Sequence, residues 1–267
     1  MDFKLKGKVA LVTGASQGIG KGIACSLAAE GANVVICARN RAVLEATAAE
    51  LNGAGGGQVA AVVADVAKPA DIVRLMDETV SRFGTLHVLV NNAGAIDHFG
   101  SYDELADDNW QALFNLNVLS VVRLTRAALP HLRREKWGRI INITSENSLQ
   151  PDPFMPHYSA TKAALLNMTK SMSKAFAADG ILVNAVSPAF IMSQMVKDLV
   201  QAQAIKGGIS FEEAERNALK EMRPHMLLNR TGRLEEVGSA VAYLASEAAS
   251  FITGTNLRVD AGSVASI

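Results

Sequence analysis

Short apolar, β-branched runs recur along the chain, and longer stretches with polar positions at helical spacing separate them. Val9-Ala10-Leu11-Val12 opens the series. Val34–Ala38, Val59–Ala64, Leu86–Val90, Ile140–Thr144 and Ile181–Val186 follow, and Asn256–Asp260 makes a short seventh. Between them, Ile23–Gly31 reads as a helix closed by glycine, and Arg41–Leu51 as a helix ending near Asn52-Gly53. Pro69–Phe83 is a helix with proline at its start, where a missing N–H does no harm. Two longer candidate helices span Asp107–Arg134 and Pro156–Asp179. Apolar strands alternating with helices predict an α/β fold: a doubly wound parallel sheet (Rossmann fold) of about seven strands, with helices on both faces. Ligands of such a sheet bind beyond the strand C-termini.

Composition fits a single domain built on that sheet. Of 267 residues, 49% are hydrophobic and 19% charged, enough apolar material for a large buried core, and Gly55-Gly56-Gly57 is too short to be a domain linker. The formal net charge is zero, which leaves no electrostatic footprint for nucleic acid or an anionic membrane. The one basic run, Arg133-Arg134-Glu135-Lys136, falls where a helix should end and complements its dipole. No stretch approaches 18 uninterrupted apolar residues and Met1–Lys6 is no signal peptide, so a cytoplasmic enzyme is expected. Cys25 and Cys37 each sit in an apolar element and read as small core residues in a reducing compartment. The five histidines lack metal-ligand spacing, and no metal site is expected.

Candidate chemistry gathers at the strand ends. Thr13-Gly14-Ala15-Ser16-Gln17-Gly18-Ile19-Gly20 lies between the first strand and the first helix. Glycines there let the backbone approach a dinucleotide pyrophosphate, and the helix N-terminus supplies N–H groups and a favourable dipole. The spacing is Gly-x-x-x-Gly-x-Gly, a variant of the common fingerprint. Asp65 follows strand three, Asn91-Asn92-Ala93-Gly94 strand four, Ser145 strand five and Pro188 strand six. Tyr158 and Lys162 stand four residues apart, which puts both on one face of a helix. A free phenol has a pKa of about 10, and a nearby ammonium lowers it by favouring the phenolate.

With these motifs the sequence resembles a classical short-chain dehydrogenase/reductase over essentially its whole length, in particular the 3-oxoacyl-acyl-carrier-protein reductase-like members. The resemblance rests on Thr13–Gly20, Asp65, Asn91–Gly94, Asn117, Ser145, Tyr158 with Lys162, and Asn184 with Pro188. Gly232-Arg233-Leu234, Phe251-Ile252-Thr253-Gly254 and Val259-Asp260 extend it to the closing segment. It implies four catalytic residues. Tyr158 would be general acid or base, and Lys162 would lower its pKa and bind the nicotinamide ribose. Ser145 would hold the substrate oxygen, and Asn117 would support a water leading protons to Lys162. It also implies a cofactor site of Gly14, Ser16, Gln17, Gly18, Ile19 and Gly20, with Asp65 and Val66 at the adenine. Asn91, Ala93 and Gly94 would line the adenosine side, and Pro188, Ile191 and Ser193 would meet the nicotinamide end beside Tyr158 and Lys162. Three positions depart from the family pattern: Ala189 after Pro188, Ser193 in place of threonine, and Ala261-Gly262 in place of a glycine pair.

The end of strand two bears on the cofactor. It reads Ala38-Arg39-Asn40-Arg41, with no acid before Glu45. A carboxylate there would bind both ribose hydroxyls of NAD, whereas Arg39 suits a 2′-phosphate, so NADP(H) is favoured and NAD(H) is the alternative. The stretch from about 189 to 229 should form a lid, with Phe190, Ile191, Met192, Met195, Val196, Leu199, Met222 and Met226 as its apolar part. Asp97, His98, Glu146, Asn147, Phe154 and Met155 complete a candidate substrate region, with Phe190 reaching in from the lid. That mixture suits a medium-sized hydroxy or keto compound with an apolar part and leaves acyl-carrier-linked, sugar-derived, steroid and aromatic substrates open. An epimerase or a non-catalytic nucleotide-binding protein is the alternative from another class. Leu113, Leu116, Val121, Leu124 and Ala128 on one long helix, and Ala163, Leu166, Met168 and Met172 on the other, exceed one sheet-facing stripe. Together with the family's habit they predict a homotetramer, or a dimer.

Overall fold

A computed structural model describes residues 2–96 and 98–266. The seven predicted runs become strands: β1 (Val9–Thr13), β2 (Asn33–Ala38), β3 (Val59–Val63), β4 (Val88–Asn91), β5 (Gly138–Ile143), β6 (Ile181–Pro188) and β7 (Asn256–Val259). They pair in parallel throughout, in the order β3-β2-β1-β4-β5-β6-β7 within one sheet. The order changes direction between β1 and β4, which opens a crevice at their C-terminal ends. The helices are α1 (Gly18–Ala29), α2 (Arg41–Gly53), α3 (Pro69–Phe83), α4 (Asp107–Phe114), α5 (Ser120–Glu135), α6 (Pro156–Phe176), α7 (Gln194–Gly207), α8 (Phe211–Met222) and α9 (Leu234–Ala245).

Alternation along the strands feeds two cores. Ala10, Val12, Val34 and Ile36 pack beneath α1, α2 and α9, while Val9, Leu11, Val35 and Cys37 pack against α3, α5 and α6. With both faces covered, the strands have no polar side to present, which is why they read as continuous apolar runs. Local signals set the helix ends. Asn40 caps α2 by accepting a bond from Val43 N at 3.2 Å. Pro69 starts α3 and Gly84 closes it in the left-handed region.

Several expectations need correction. The helix predicted over Asp107–Arg134 is interrupted by a π-helical turn, Asn115–Leu119. Such an extra residue per turn is a feature that often accompanies function. The one predicted over Pro156–Asp179 ends at Phe176 and passes into a 3-10 turn, Ala177–Asp179. Cys25 is exposed, because it lies on the face of α1 opposite Ile23, Ala24 and Leu27; only Cys37 is a core residue. Leu113, Val121, Leu124 and Ala128 are buried within this chain, so α4 and α5 leave less apolar surface uncovered than their composition suggests. Leu119 remains 44% exposed. The combined stretch Asp107–Glu135 is long and apolar enough to cross a membrane by length and composition alone, yet Leu124, Ala128 and Leu132 anchor it in the core against the sheet.

After β6 the chain builds a helical hairpin. Val196, Val200 and Ala204 of α7 pack against Ala214 and Ala218 of α8, with Phe190, Met192, Ile209 and Phe211 around them. This small core is separate from the two sheet cores. Met195 and Leu199 face outward instead.

Candidate active site

The glycine-rich turn is tied to the end of β4. Thr13 Oγ1 accepts bonds from Asn92 N at 3.1 Å and Ala93 N at 3.0 Å, and Asn92 Nδ2 donates to Thr13 O at 2.8 Å. Gly14 has φ +64°, and a Cβ on it would lie 2.8 Å from Ala93 Cα, so the two strand ends meet only because a glycine stands there. α1 then starts at Gly18, with no side chain capping its first turn. That leaves the N-terminal N–H groups for an anionic ligand.

A cavity of about 990 Å³ runs along these ends. Gly14, Ser16 and Gln17 form one wall, Arg39 and Asn40 stand at the end of β2, Asp65 and Val66 at the end of β3, and Ala93 and Gly94 at the end of β4. The opposite side comes from Val43, Ala67, Ala95, Asn115 and Leu116, which pattern reading missed because they lie on helices or turns without motif character. Arg39 is exposed and has no acid beside it in sequence; the nearby Arg41 pairs with Glu45 at 3.0 Å. Asp65 Oδ1 accepts from Ala67 N at 3.0 Å, which fixes the turn after β3. Cys37 also borders the cavity, but burial pushes its thiol up to about 12, so it stays neutral.

Asn91 does not line this space. Its Nδ2 donates to Asn142 Oδ1 at 2.8 Å between neighbouring strands, because its side chain points into the layer and away from the crevice. Gly18, Ile19 and Gly20 form the first turn of α1 beside the cavity, not its lining. At the far end a Cβ on Gly18 would lie 3.8 Å from that of Ser193, so the N-terminus of α1 meets the N-terminus of α7. Ser193 caps α7, accepting from Val196 N at 3.4 Å. Ile191 is buried and bridged to Gly232, and Pro188 ends β6 opposite Val259.

The four predicted catalytic residues converge. Tyr158 and Lys162 share a face of α6, with Lys162 Nζ 5.6 Å from the Tyr158 ring centroid. Ser145, at the end of β5, hydrogen-bonds the Tyr158 hydroxyl and accepts from Asn147 N at 3.2 Å. The π-helical turn presents Asn117, whose amide donates to Ala95 O at 3.2 Å and Thr161 Oγ1 at 3.1 Å. A Cβ on Gly94 would lie 3.2 Å from Asn117 Oδ1 and 3.3 Å from Lys162 Nζ, which places all three around one point.

The expected depression of the tyrosine is not what this geometry gives. Burial pushes the phenol up, the Ser145 hydrogen bond pulls it down, the Glu146 charge raises it and the Arg223 charge lowers it; the net direction is upward. Lys162 Nζ, 5.6 Å from the ring centroid, donates to Ile143 O at 2.9 Å. Burial lowers Lys162 itself to about 8.

Of the substrate candidates, Glu146 and Phe154 border a cavity of about 680 Å³. Asn147 is buried and spent on scaffolding, its Nδ2 within 3.3 Å of Asp152 Oδ2 and 3.4 Å of Ser159 Oγ. Phe190 belongs elsewhere. Gly232 N donates to Phe190 O at 2.9 Å, and that strap turns the ring toward the α7–α8 core and a separate cavity of about 230 Å³. Asp97 lies outside the described residues. Arg223 was missed, since a lone arginine after a surface helix gives no signal in sequence; it pairs with both Glu146 and Asp152.

Comparison with known proteins agrees with this arrangement. The family model described as short chain dehydrogenase matches residues 8–204. D-beta-hydroxybutyrate dehydrogenase of Cupriavidus necator is 37% identical over 265 residues, covering 98% of this chain and 99% of the relative. The 3-oxoacyl-[acyl-carrier-protein] reductase of Synechocystis is 38% identical over 262 residues, 97% and 98% of the two chains. Among solved structures, L-sorbose reductase from Gluconobacter frateurii, complexed with NADPH and L-sorbose, superposes with a TM-score of 0.94 at 32% identity and covers 100% of both chains.

Proposed function

The chain belongs to the short-chain dehydrogenase family, whose members are oxidoreductases of CH–OH and carbonyl groups that use NAD(P), and we propose that it transfers hydride between NADP(H) and a ketone or secondary alcohol with Tyr158 as the proton donor and acceptor. The observation that carries this reading is the meeting of Ser145, Tyr158, Lys162 and Asn117 at the C-terminal edge of the sheet, next to the long cavity. When bound, the nicotinamide supplies or takes the hydride; the protein has to bind, orient and move a proton. Ser145 holds the reacting oxygen by its hydroxyl as charge develops. Tyr158 O–H delivers the proton in the reduction direction, and its raised pKa keeps it protonated and ready to donate at neutral pH. Lys162 and Asn117 hold the ribose side and the path by which that proton is replaced.

Arg39 supports NADP(H) over NAD(H). It lines the long cavity together with Ser16, so a 2′-phosphate bound there would have a planar cation and a hydroxyl to pair with, and residues 38–41 hold no carboxylate to repel it. The similar L-sorbose reductase is complexed with NADPH, and a similar 3-oxoacyl (acyl-carrier-protein) reductase from Agrobacterium tumefaciens has NADP bound. A homotetramer, or a dimer, fits the apolar surface left over: Leu119, the fully exposed Phe251, and Leu227 and Leu228 at 74% and 61% exposure. Cytoplasmic residence matches two free cysteines. The test is to follow NADPH and NADH absorbance with a panel of ketones and, in reverse, secondary alcohols. Turnover with neither cofactor on any member of the panel would refute the reading.

A further inference from the structure

Beside the proton donor, the catalytic loop and the lid are joined by three charged side chains. Glu146 follows Ser145 directly and is 3% exposed. Its Oε1 accepts from Arg223 Nε, and Arg223 Nη2 reaches Asp152 Oδ2 at 2.8 Å. The remaining Arg223 nitrogen, Nη1, donates to Met222 O. Each nitrogen of Arg223 thus has a partner. Glu146 Oε2, by contrast, is buried and has no hydrogen-bond partner among the described residues. A buried carboxylate oxygen left in that state is costly, and proteins rarely tolerate it without use. The residue borders the cavity of about 680 Å³ between the catalytic loop and the end of α8, a size that suits a small-molecule ligand.

We propose that Glu146 makes this a site for a polyhydroxylated ketone, its Oε2 accepting a hydrogen bond from a substrate hydroxyl near the reacting carbon. The inference rests on the carbonyl-reduction reading above and narrows its substrate class. A carboxylate acceptor can only pair with a donor, and on a neutral substrate next to a carbonyl that donor is a hydroxyl. The charges point the same way. Glu146, Asp152 and Arg223 sum to one negative charge, so the guanidinium is already more than neutralised by its two carboxylate partners. An anionic hydroxy or keto acid is therefore disfavoured here. The exposed rings of Phe99 and Phe154 at the mouth leave apolar surface for the carbon face of the same molecule.

The test uses the full-length protein, NADPH, a ketohexose, its mono-deoxy analogues and 2-hexanone. In wild type one deoxy analogue should lose roughly ten- to hundredfold in kcat/KM, the value of one hydrogen bond to a charged group. Glu146→Gln should lower the ratio of ketohexose to 2-hexanone kcat/KM by a similar factor. An amide that keeps its oxygen on Arg223 places an NH2 donor where Oε2 stood, and that group cannot accept from the substrate hydroxyl. NADPH titration by fluorescence reports whether that variant is folded. If Glu146 only props the loop, both ketones fall together, the ratio stays put, and the proposal is overturned. Wild type that reduces 2-hexanone but no ketose also overturns it and leaves the oxidoreductase reading intact. Wild type that binds NADPH and consumes it with no ketone overturns that reading, and this proposal with it.

Discussion

Replacing Lys162 by Met should make the protein more stable and abolish turnover. Lys162 is 5% exposed, and burial lowers its pKa from 10.5 to about 8. That lowering corresponds to roughly 3 kcal/mol by which folding disfavours the charged amine. The sign follows from proton counts. Between pH 8 and 10.5 the unfolded chain holds the proton and the folded chain does not, so stability rises with pH across that window. Below pH 8 both states are charged and the whole penalty is present.

Methionine removes that penalty and fills similar space, but it leaves Ile143 O without the 2.9 Å bond from Nζ, a loss of about 1 kcal/mol. Lys162→Met should therefore gain about 2 kcal/mol at pH 7 and lose about 1 kcal/mol at pH 10.5 or above. Urea unfolding of both proteins at equal concentration, followed by tryptophan fluorescence at the two pH values, measures the difference. Other titrating groups are common to both chains and cancel. A variant no more stable than wild type at pH 7, or one whose advantage is the same at both pH values, would refute the reasoning.

Changing Tyr158 to Phe should cut kcat by at least 10²-fold, since the ring still packs but the positioned proton donor is gone; stopped assays should find NADPH affinity retained, and a tenth of wild-type activity would end the mechanism. Ala38→Asp combined with Arg39→Ser should shift the NADP/NAD preference toward NAD by roughly ten- to hundredfold, read as the ratio of kcat/KM values. Wild type that prefers NAD would contradict the reading of β2. Ala261 holds φ +51°, the left-handed conformation glycine takes without strain, so Ala261→Gly should stabilise. Relief of about 1–2 kcal/mol less about 0.4–1 kcal/mol of unfolded-chain entropy leaves a gain of about 1 kcal/mol, visible as a rise of a few degrees in Tm by calorimetry. Light scattering at micromolar concentration should find a tetramer or dimer; a 28.2 kDa monomer would leave Phe251 and Leu119 uncovered and unexplained.

Sheet, helices and the four converging residues were legible because each rests on a local pattern. A strand buried on both faces must be continuously apolar, and a turn that brings two strand ends into contact needs glycine, as Gly14 shows against Ala93 Cα. What sequence concealed was long-range. The π-helical turn at Asn115–Leu119 has no composition of its own; it exists because Asn117 bonds Ala95 and Thr161, residues distant in the chain. Asn147 looked like a substrate contact for its amide, and the fold spends that amide on Asp152 and Ser159. The Tyr158–Lys162 spacing correctly placed both on one face, yet spacing says nothing about burial. Burial moves each group toward its neutral form and outweighs the attraction expected of the pair.

The end of α8 and Tyr158 share their electrostatics through the same ion pair. Glu146 raises the Tyr158 pKa and Arg223 lowers it, so their effects oppose each other while they remain paired. Glu146 is fixed on the catalytic loop, whereas Arg223 sits at the end of α8 and belongs to a hairpin with its own small core. Whatever carries Arg223 away leaves the Glu146 charge uncompensated beside the phenol and also uncovers the cavity wall. On the proposed reading, with the hairpin as a lid and Tyr158 as the proton donor, docking of Arg223 would both wall the cavity and offset the charge that raises the phenol pKa. Under that reading a single arginine, paired with Glu146 and Asp152, would couple closure to chemistry without touching the reacting atoms.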